Sequence, residues 1–146
     1  MASEMTFHPD TSQLLCDCQQ PLPALVIQGL QVFNKGEYFE AHELLETAWR
    51  NESRPIRELY RGILQVGVGF YHIQRVNFNG AHKLFQRSLG WLIPFPATCQ
   101  GVNVGKIRNQ TQKIDDILTS SFPNPSKTTL ESLFFTVEFG LSPNGE

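Results

Sequence analysis

The chain has 146 residues, enough for one domain with a sizeable core. Its net charge of −2 offers no basic excess to a phosphate backbone, so nucleic acid is not an expected partner. Hydrophobic residues make up 40% and include eleven phenylalanines, which points to a bulky, well-filled interior.

The longest apolar region, residues 63–73, is interrupted by Gln65 and His72. It falls short of the about 20 apolar residues that span a bilayer, so no membrane partner is expected. The first residues show no basic head followed by an apolar run, and no signal peptide is read there. Cys16-x-Cys18 is too short for the usual zinc spacing, and Cys99 stands alone. The three cysteines are therefore read as reduced thiols, in keeping with a cytoplasmic protein.

Residues 1–20 are polar and irregular and are expected to form a loosely attached, flexible arm. The helical bundle is expected over residues 21–121. A first helix opens near Pro21 or Pro23, with Leu22, Leu25, Val26, Gly29, Leu30 and Phe33 recurring every three or four residues. Asn34-Lys35-Gly36 stops it, because Gly36 adopts positive φ without strain. The second helix runs over about 37–50, with Tyr38, Ala41, Leu45 and Ala48 as its apolar face and Glu37, Glu40 and Glu43 near the positive end of its dipole. Ser53 is a candidate N-cap ahead of Pro55.

The third helix is expected over residues 55–76. Leu64, Val66, Val68 and Phe70 also alternate like a strand, and Gly62, Gly67 and Gly69 weaken a helix. The pattern outruns ordinary strand length on both sides, which favours a helix whose glycines let neighbours approach closely. Asn79 is the expected cap of a fourth helix carrying Ala81, Leu84, Phe85, Ser88, Leu89 and Leu92, ended by Pro94 and Pro96. A fifth spans about 103–119. Residues 122–146 form a proline-punctuated tail, within which Leu130 to Phe139 is expected to dock as an apolar strip. The fold class is thus all-α: a compact bundle of about five helices with antiparallel neighbours.

The second helix carries the most informative residues. His42, Glu46 and Trp49, with Phe39, share one side at about 100° per residue, and Glu43 lies at the margin. Imidazole and carboxylate at i and i+4 meet without backbone strain and suit a divalent cation. On the third helix Glu58, Arg61 and Gln65 fall within about 40° of His72 and form a polar stripe. Burying those groups costs several kcal/mol unless they find partners. The expected arrangement brings the two stripes together, with Arg61 neutralising Glu46 or Glu43, and Gln65 and His72 bonding His42 or an ion. His42, Glu46 and His72 are the candidate metal ligands, and Glu43, Trp49, Arg61 and Gln65 complete the polar cluster. An inward-pointing Arg61 would repel a cation. His82 is read as an exposed first-turn residue. Tyr60 and Tyr71 are read as core rings or as hydroxyl partners of the cluster.

Phe39-Glu40-Ala41-His42-Glu43 through Glu46 to Trp49 resembles the signature of domain-of-unknown-function family 309, whose mark is His, three residues, Glu, two residues, Trp. Phe33-Asn34-x-Gly36, Arg61-Gly62-x-x-Gln65 and Gly80-Ala81 add to the resemblance, which covers about residues 25–92. It implies a small, all-helical bacterial or archaeal protein and metal binding by the signature, and it implies no activity.

Three readings follow. In the first, the cluster holds a divalent metal ion, and any enzyme would be a metal-assisted hydrolase with Glu43 or Glu46 as base. In the second, the chain is a helical interaction module, with a protein partner or a second copy of itself in a groove that the apolar strip could also fill. In the third, the cluster is purely structural and fixes helix register.

Overall fold

The computed structural model describes residues 7–141. Seven helices and one two-stranded hairpin follow in the order α1 (Thr11–Cys18), α2 (Ala24–Asn34), α3 (Tyr38–Asn51), α4 (Arg57–Gln74), α5 (Phe78–Leu92), β1 (Thr98–Cys99), β2 (Val102–Asn103), α6 (Val104–Ser120) and α7 (Lys127–Glu131). The all-α bundle with antiparallel neighbours is the observed architecture, with two more helices than the periodicity implies.

Helix α2 buries Val26, Gly29, Leu30 and Phe33, the i, i+3, i+4, i+7 set of one face, and the chain turns at Gly36 with φ of +82°. Helix α3 buries Tyr38, Ala41, Leu45 and Ala48. Helix α4 is the central element. It buries residues on most of its circumference and packs against α3 and α5, while α6 packs on α5. Its glycines are points of close approach. A Cβ on Gly62 would stand 2.6 Å from Leu92 Cδ2, one on Gly69 would run into the ring of Phe85, and one on Gly67 would stand 3.1 Å from Phe33 Cε2. Close contact to α5 also lets Ser88 Oγ donate to the Gly62 carbonyl at 2.9 Å. The strand-like alternation in α4 therefore reflects burial on several sides of a helix.

Two expected caps move. Asn77, not Asn79, caps α5 by accepting from Gly80 N at 3.0 Å. Ser53 caps nothing, since α4 begins after a turn through Pro55 and Ile56 with no side-chain cap. The apolar strip packs against α4. Phe134 stacks on Phe70 with centroids 4.2 Å apart, and Phe135 meets the same ring edge-on. Asn34 of the Phe33-Asn34-x-Gly36 motif holds the strip, donating to the Val137 carbonyl at 2.9 Å and accepting from its N–H at 2.7 Å.

The largest departures lie at residues 7–20. The expected arm is helical over α1, with Leu14, Asp17 and Cys18 buried; residues 1–6 of that expectation lie outside the described residues. Cys18 and Cys99 form a disulfide across a sequence separation of 81, and Cys16 is free and exposed. The expectation of reduced thiols is overturned for two of the three cysteines, and cysteine content no longer supports a cytoplasmic location. Positions i and i+2 on a helix point about 200° apart, so Cys18 faces inward while Cys16 faces out. Local spacing could not reveal a partner that arrives on the β1–β2 hairpin.

Polar bonds seal this junction. Gln100 N donates to the Cys18 carbonyl at 2.7 Å, and Tyr60 Oη donates to Gln100 Oε1 at 2.8 Å. Asp17 Oδ1 accepts from Arg54 at 3.1 Å and from Gln13 at 2.9 Å. Tyr60 is fully buried, and burial raises its pKa. Among the described residues no helix is long and apolar enough to cross a membrane.

Candidate functional site

The signature side chains of α3 remain near the surface. His42 Nε2 lies 3.6 Å from Glu46 Oε2, with the two side chains 29% and 36% exposed. The other Glu46 oxygen is 3.1 Å from the Arg50 guanidinium. Phe39 lies outside them, its ring 6.1 Å from that of His42 and 6.0 Å from that of Tyr71. Glu43 is exposed, and its backbone carbonyl accepts from Thr47 Oγ1 at 3.0 Å.

The polar stripe of α4 turns to other partners. Arg61 pairs with Glu58, three residues earlier on its own helix, instead of Glu46 or Glu43. Its Nη2 donates to Glu58 Oε2 at 3.2 Å, and its Nε lies 2.7 Å from Oε1 without an aligned hydrogen bond. His72 Nδ1 is 3.4 Å from Asn77 Nδ2, and burial lowers its pKa, which favours the neutral ring. Tyr71 Oη accepts from Arg75 at 3.4 Å, and Tyr60 points to the disulfide junction. The proposed convergence of His42, Gln65 and His72 does not form.

These residues do not fit the metal that the resemblance implies. Among the described residues no group of three or more His, Cys, Asp or Glu side chains could hold an ion. Glu46 also carries a guanidinium at 3.1 Å, which opposes a cation there.

Trp49, the last signature residue, organises a different site. Its Nε1 donates to Glu58 Oε1 at 3.1 Å. Its ring takes the Arg57 guanidinium at 4.3 Å and that of Arg61 at 4.5 Å, while Arg57 Nε donates to the Trp49 carbonyl at 3.1 Å. Arg61 also lies 4.1 Å from the ring of Trp91 on α5. The result is a chain of alternating cations and indoles, Arg57–Trp49–Arg61–Trp91, crossing from α3 over α4 to α5. Each contact adds about 0.5–1 kcal/mol at a surface and more when desolvated. Burial lowers the Arg61 pKa, opposed by Glu58, and a guanidinium keeps its charge throughout.

The end of this chain opens on a cleft of about 420 Å³ lined by Arg61, Gln65, Gln86, Arg87, Gly90 and Trp91. That volume falls in the range of small-molecule sites. Gln65 Oε1 is buried there and has no hydrogen-bond partner. Gln86 Nε2 donates to Asp115 Oδ2 at 2.7 Å, and the other oxygen of Asp115 meets His82 Nδ1 at 2.9 Å. Asp115, on α6, is only 2% exposed. His82, expected as an exposed first-turn residue, is partly exposed and tied to a buried carboxylate.

Residues 26–84 match the family model described as Domain of unknown function (DUF309). That stretch of the chain is similar to this family. An uncharacterized protein of Aquifex aeolicus (strain VF5) is 25% identical over 104 residues, covering 69% of this chain and 30% of the relative. The uncharacterized protein YpuF of Bacillus subtilis (strain 168) is 39% identical over 54 residues, covering 36% of this chain and 31% of the relative. The matched stretches are thus under a third of either relative's length.

The matched segment supplies one wall of the cleft, Arg61 and Gln65. The other wall, Gln86, Arg87, Gly90 and Trp91, follows the matched residues. Those four, with Asp115 and Gln100, are what sequence reasoning missed. A signal existed for part of them, since Arg87 and Trp91 are four apart on a helix that neighbours α4.

Proposed function

We propose that the chain is a helical ligand-binding module whose DUF309 signature is scaffold for the α4–α5 cleft and not a metal or catalytic centre. One observation supports this reading above the others: Arg61 is held between Trp49 and Trp91 at the edge of a cleft also lined by Gln65, whose buried side-chain oxygen has no partner. Buried acceptors are normally satisfied, and an orphan lining a cleft of ligand size is what an absent donor leaves behind. In this reading His42, Glu46 and Arg50 form a solvated ladder on the outer face of α3, while Trp49 and Glu58 fix Arg61. Neither Glu43 nor Glu46 has a role as a base.

Amide NMR of labelled protein tests the reading. A small-molecule fragment mixture is expected to perturb the Gln65 and Gln86 side-chain amides and the backbone of Gly90 and Trp91. Zinc, manganese and nickel salts are expected to leave the resonances of His42 and Glu46 in place. Stoichiometric metal at His42 and Glu46, or fragment shifts confined to surfaces away from the cleft, would refute it.

A further inference from the structure

We infer that the α4–α5 cleft takes a small organic anion that also carries an N–H or O–H donor. This rests on the binding-module reading and adds the chemistry of the ligand. The first observation is local charge. Arg61 and Arg87 line the cleft and Arg57 lies on the Trp49 ring behind Arg61, with Glu58 as the carboxylate of the stack, in a chain whose net charge is −2. Glu58 is already spent: one oxygen accepts from Trp49 and the other from Arg61. Asp115, behind Gln86, is likewise engaged by His82 and Gln86. Among the described residues Arg87 has no carboxylate partner. The cleft therefore keeps two guanidiniums with unused donors, the fork geometry that grips carboxylate or phosphate oxygens.

The second observation is the acceptor side. Gln65 Oε1 has no partner, and Gln86 gives one amide N–H to Asp115, leaving its carbonyl oxygen and its second N–H for a ligand. A bare anion would satisfy the arginines and leave Gln65 orphaned. An anion with an amine or hydroxyl satisfies both, whereas a neutral apolar molecule satisfies neither and an ammonium cation would satisfy Gln65 but be repelled by the arginines. Hydroxy acids, amino acids and phosphate esters of polyols share this chemistry.

The protein carries its own reporter. Its two tryptophans are Trp49 and Trp91, and both touch Arg61. Intrinsic fluorescence is titrated with 2-hydroxy acids and amino acids of three to six carbons, their methyl esters, deoxy analogues of the hydroxy acids, inorganic phosphate and glycerol phosphate. Saturable change is expected with at least one hydroxylated or aminated anion. Binding should weaken at least tenfold for its methyl ester, which lacks the anionic group, and should weaken as salt rises. Carboxylates and phosphates in separate arms identify which anion is preferred. Arg87→Gln, an exposed change that leaves the core intact, should weaken the anion at least tenfold. Gln65→Leu should erase the preference for the hydroxylated compound over its deoxy analogue. Equal binding of acid and ester, or fragment shifts at the cleft from neutral compounds alone, would overturn the anion inference and leave the binding module standing. Silence of the cleft to every compound would sink both.

Discussion

Gly69→Ala puts the reading of α4 at risk. In an ordinary helix interior this change is favourable by about 1 kcal/mol, because alanine loses less backbone entropy and exposes less backbone. Here the added Cβ would run into Phe85 Cε1 and stand 2.8 Å from Cδ1 and 3.0 Å from Cζ. The Phe85 ring is fully buried and lies against Phe70 at 5.9 Å, and Phe70 is itself covered by Phe134 at 4.2 Å. A rigid ring backed by two more has nowhere to retreat, so overpacking of about 2–3 kcal/mol should exceed the propensity gain. The expected net effect is destabilisation by about 1–2 kcal/mol. Gly90→Ala on α5 is the control, since its Cβ meets nothing within 4 Å. That variant should gain about 0.5 kcal/mol, less than the full propensity because α5 ends at Leu92. Urea unfolding followed by circular dichroism reads both, with an unchanged m-value confirming that only stability has moved. A Gly69→Ala protein as stable as its parent would mean that α4 and α5 do not approach at this glycine.

Trp49→Ala should cost about 2–3 kcal/mol, below the value for a fully buried indole but with Glu58 and two guanidiniums released, whereas His42→Ala, which loses an exposed pair, should stay within about 0.5 kcal/mol of the parent; equal effects in thermal melts would refute the division between scaffold and solvated ladder. Reducing the Cys18–Cys99 bond, or replacing both residues with serine, should lower stability by about 4.5 kcal/mol, as loop closure across 81 residues of separation implies, and an unshifted urea midpoint under reductant would contradict a native bond. Burial lowers the His72 pKa in the folded state, so its contribution should be fully present above about pH 6.5 and lost as pH falls through the folded value. His72→Gln should flatten that limb of the stability–pH curve.

What the sequence made legible was local and periodic. Phe33, Leu45 and Phe70 repeat at helical spacing because each helix must bury one face, and that constraint is written within a dozen residues of itself. The same holds for Gly36, whose positive φ follows from a helix that has to stop. Contacts between distant segments leave no such trace. Cys99 reaches Cys18 only because Gln100 and Gly101 turn β1 back on β2, both with positive φ, and a non-glycine residue in that conformation has little local signature. His82 and Asp115 are each unremarkable on their own helices and meet only when α6 packs on α5. The candidate site failed for a related reason. A helical projection says which residues share a side, but not which neighbour that side will face. The stripe of Glu58, Arg61 and Gln65 is legible on α4, and the His42–Glu46 strip of α3 is its expected partner. Arg61 instead meets indoles, because Glu58 is a nearer carboxylate on its own helix and Trp49, one turn beyond Glu46, offers a ring face that a desolvated guanidinium can cover. The signature thus reads more coherently from its tryptophan end. Trp49 and Glu58 hold Arg61 in position, and the aromatic and amide groups of α5 complete a cleft that no single helix could disclose.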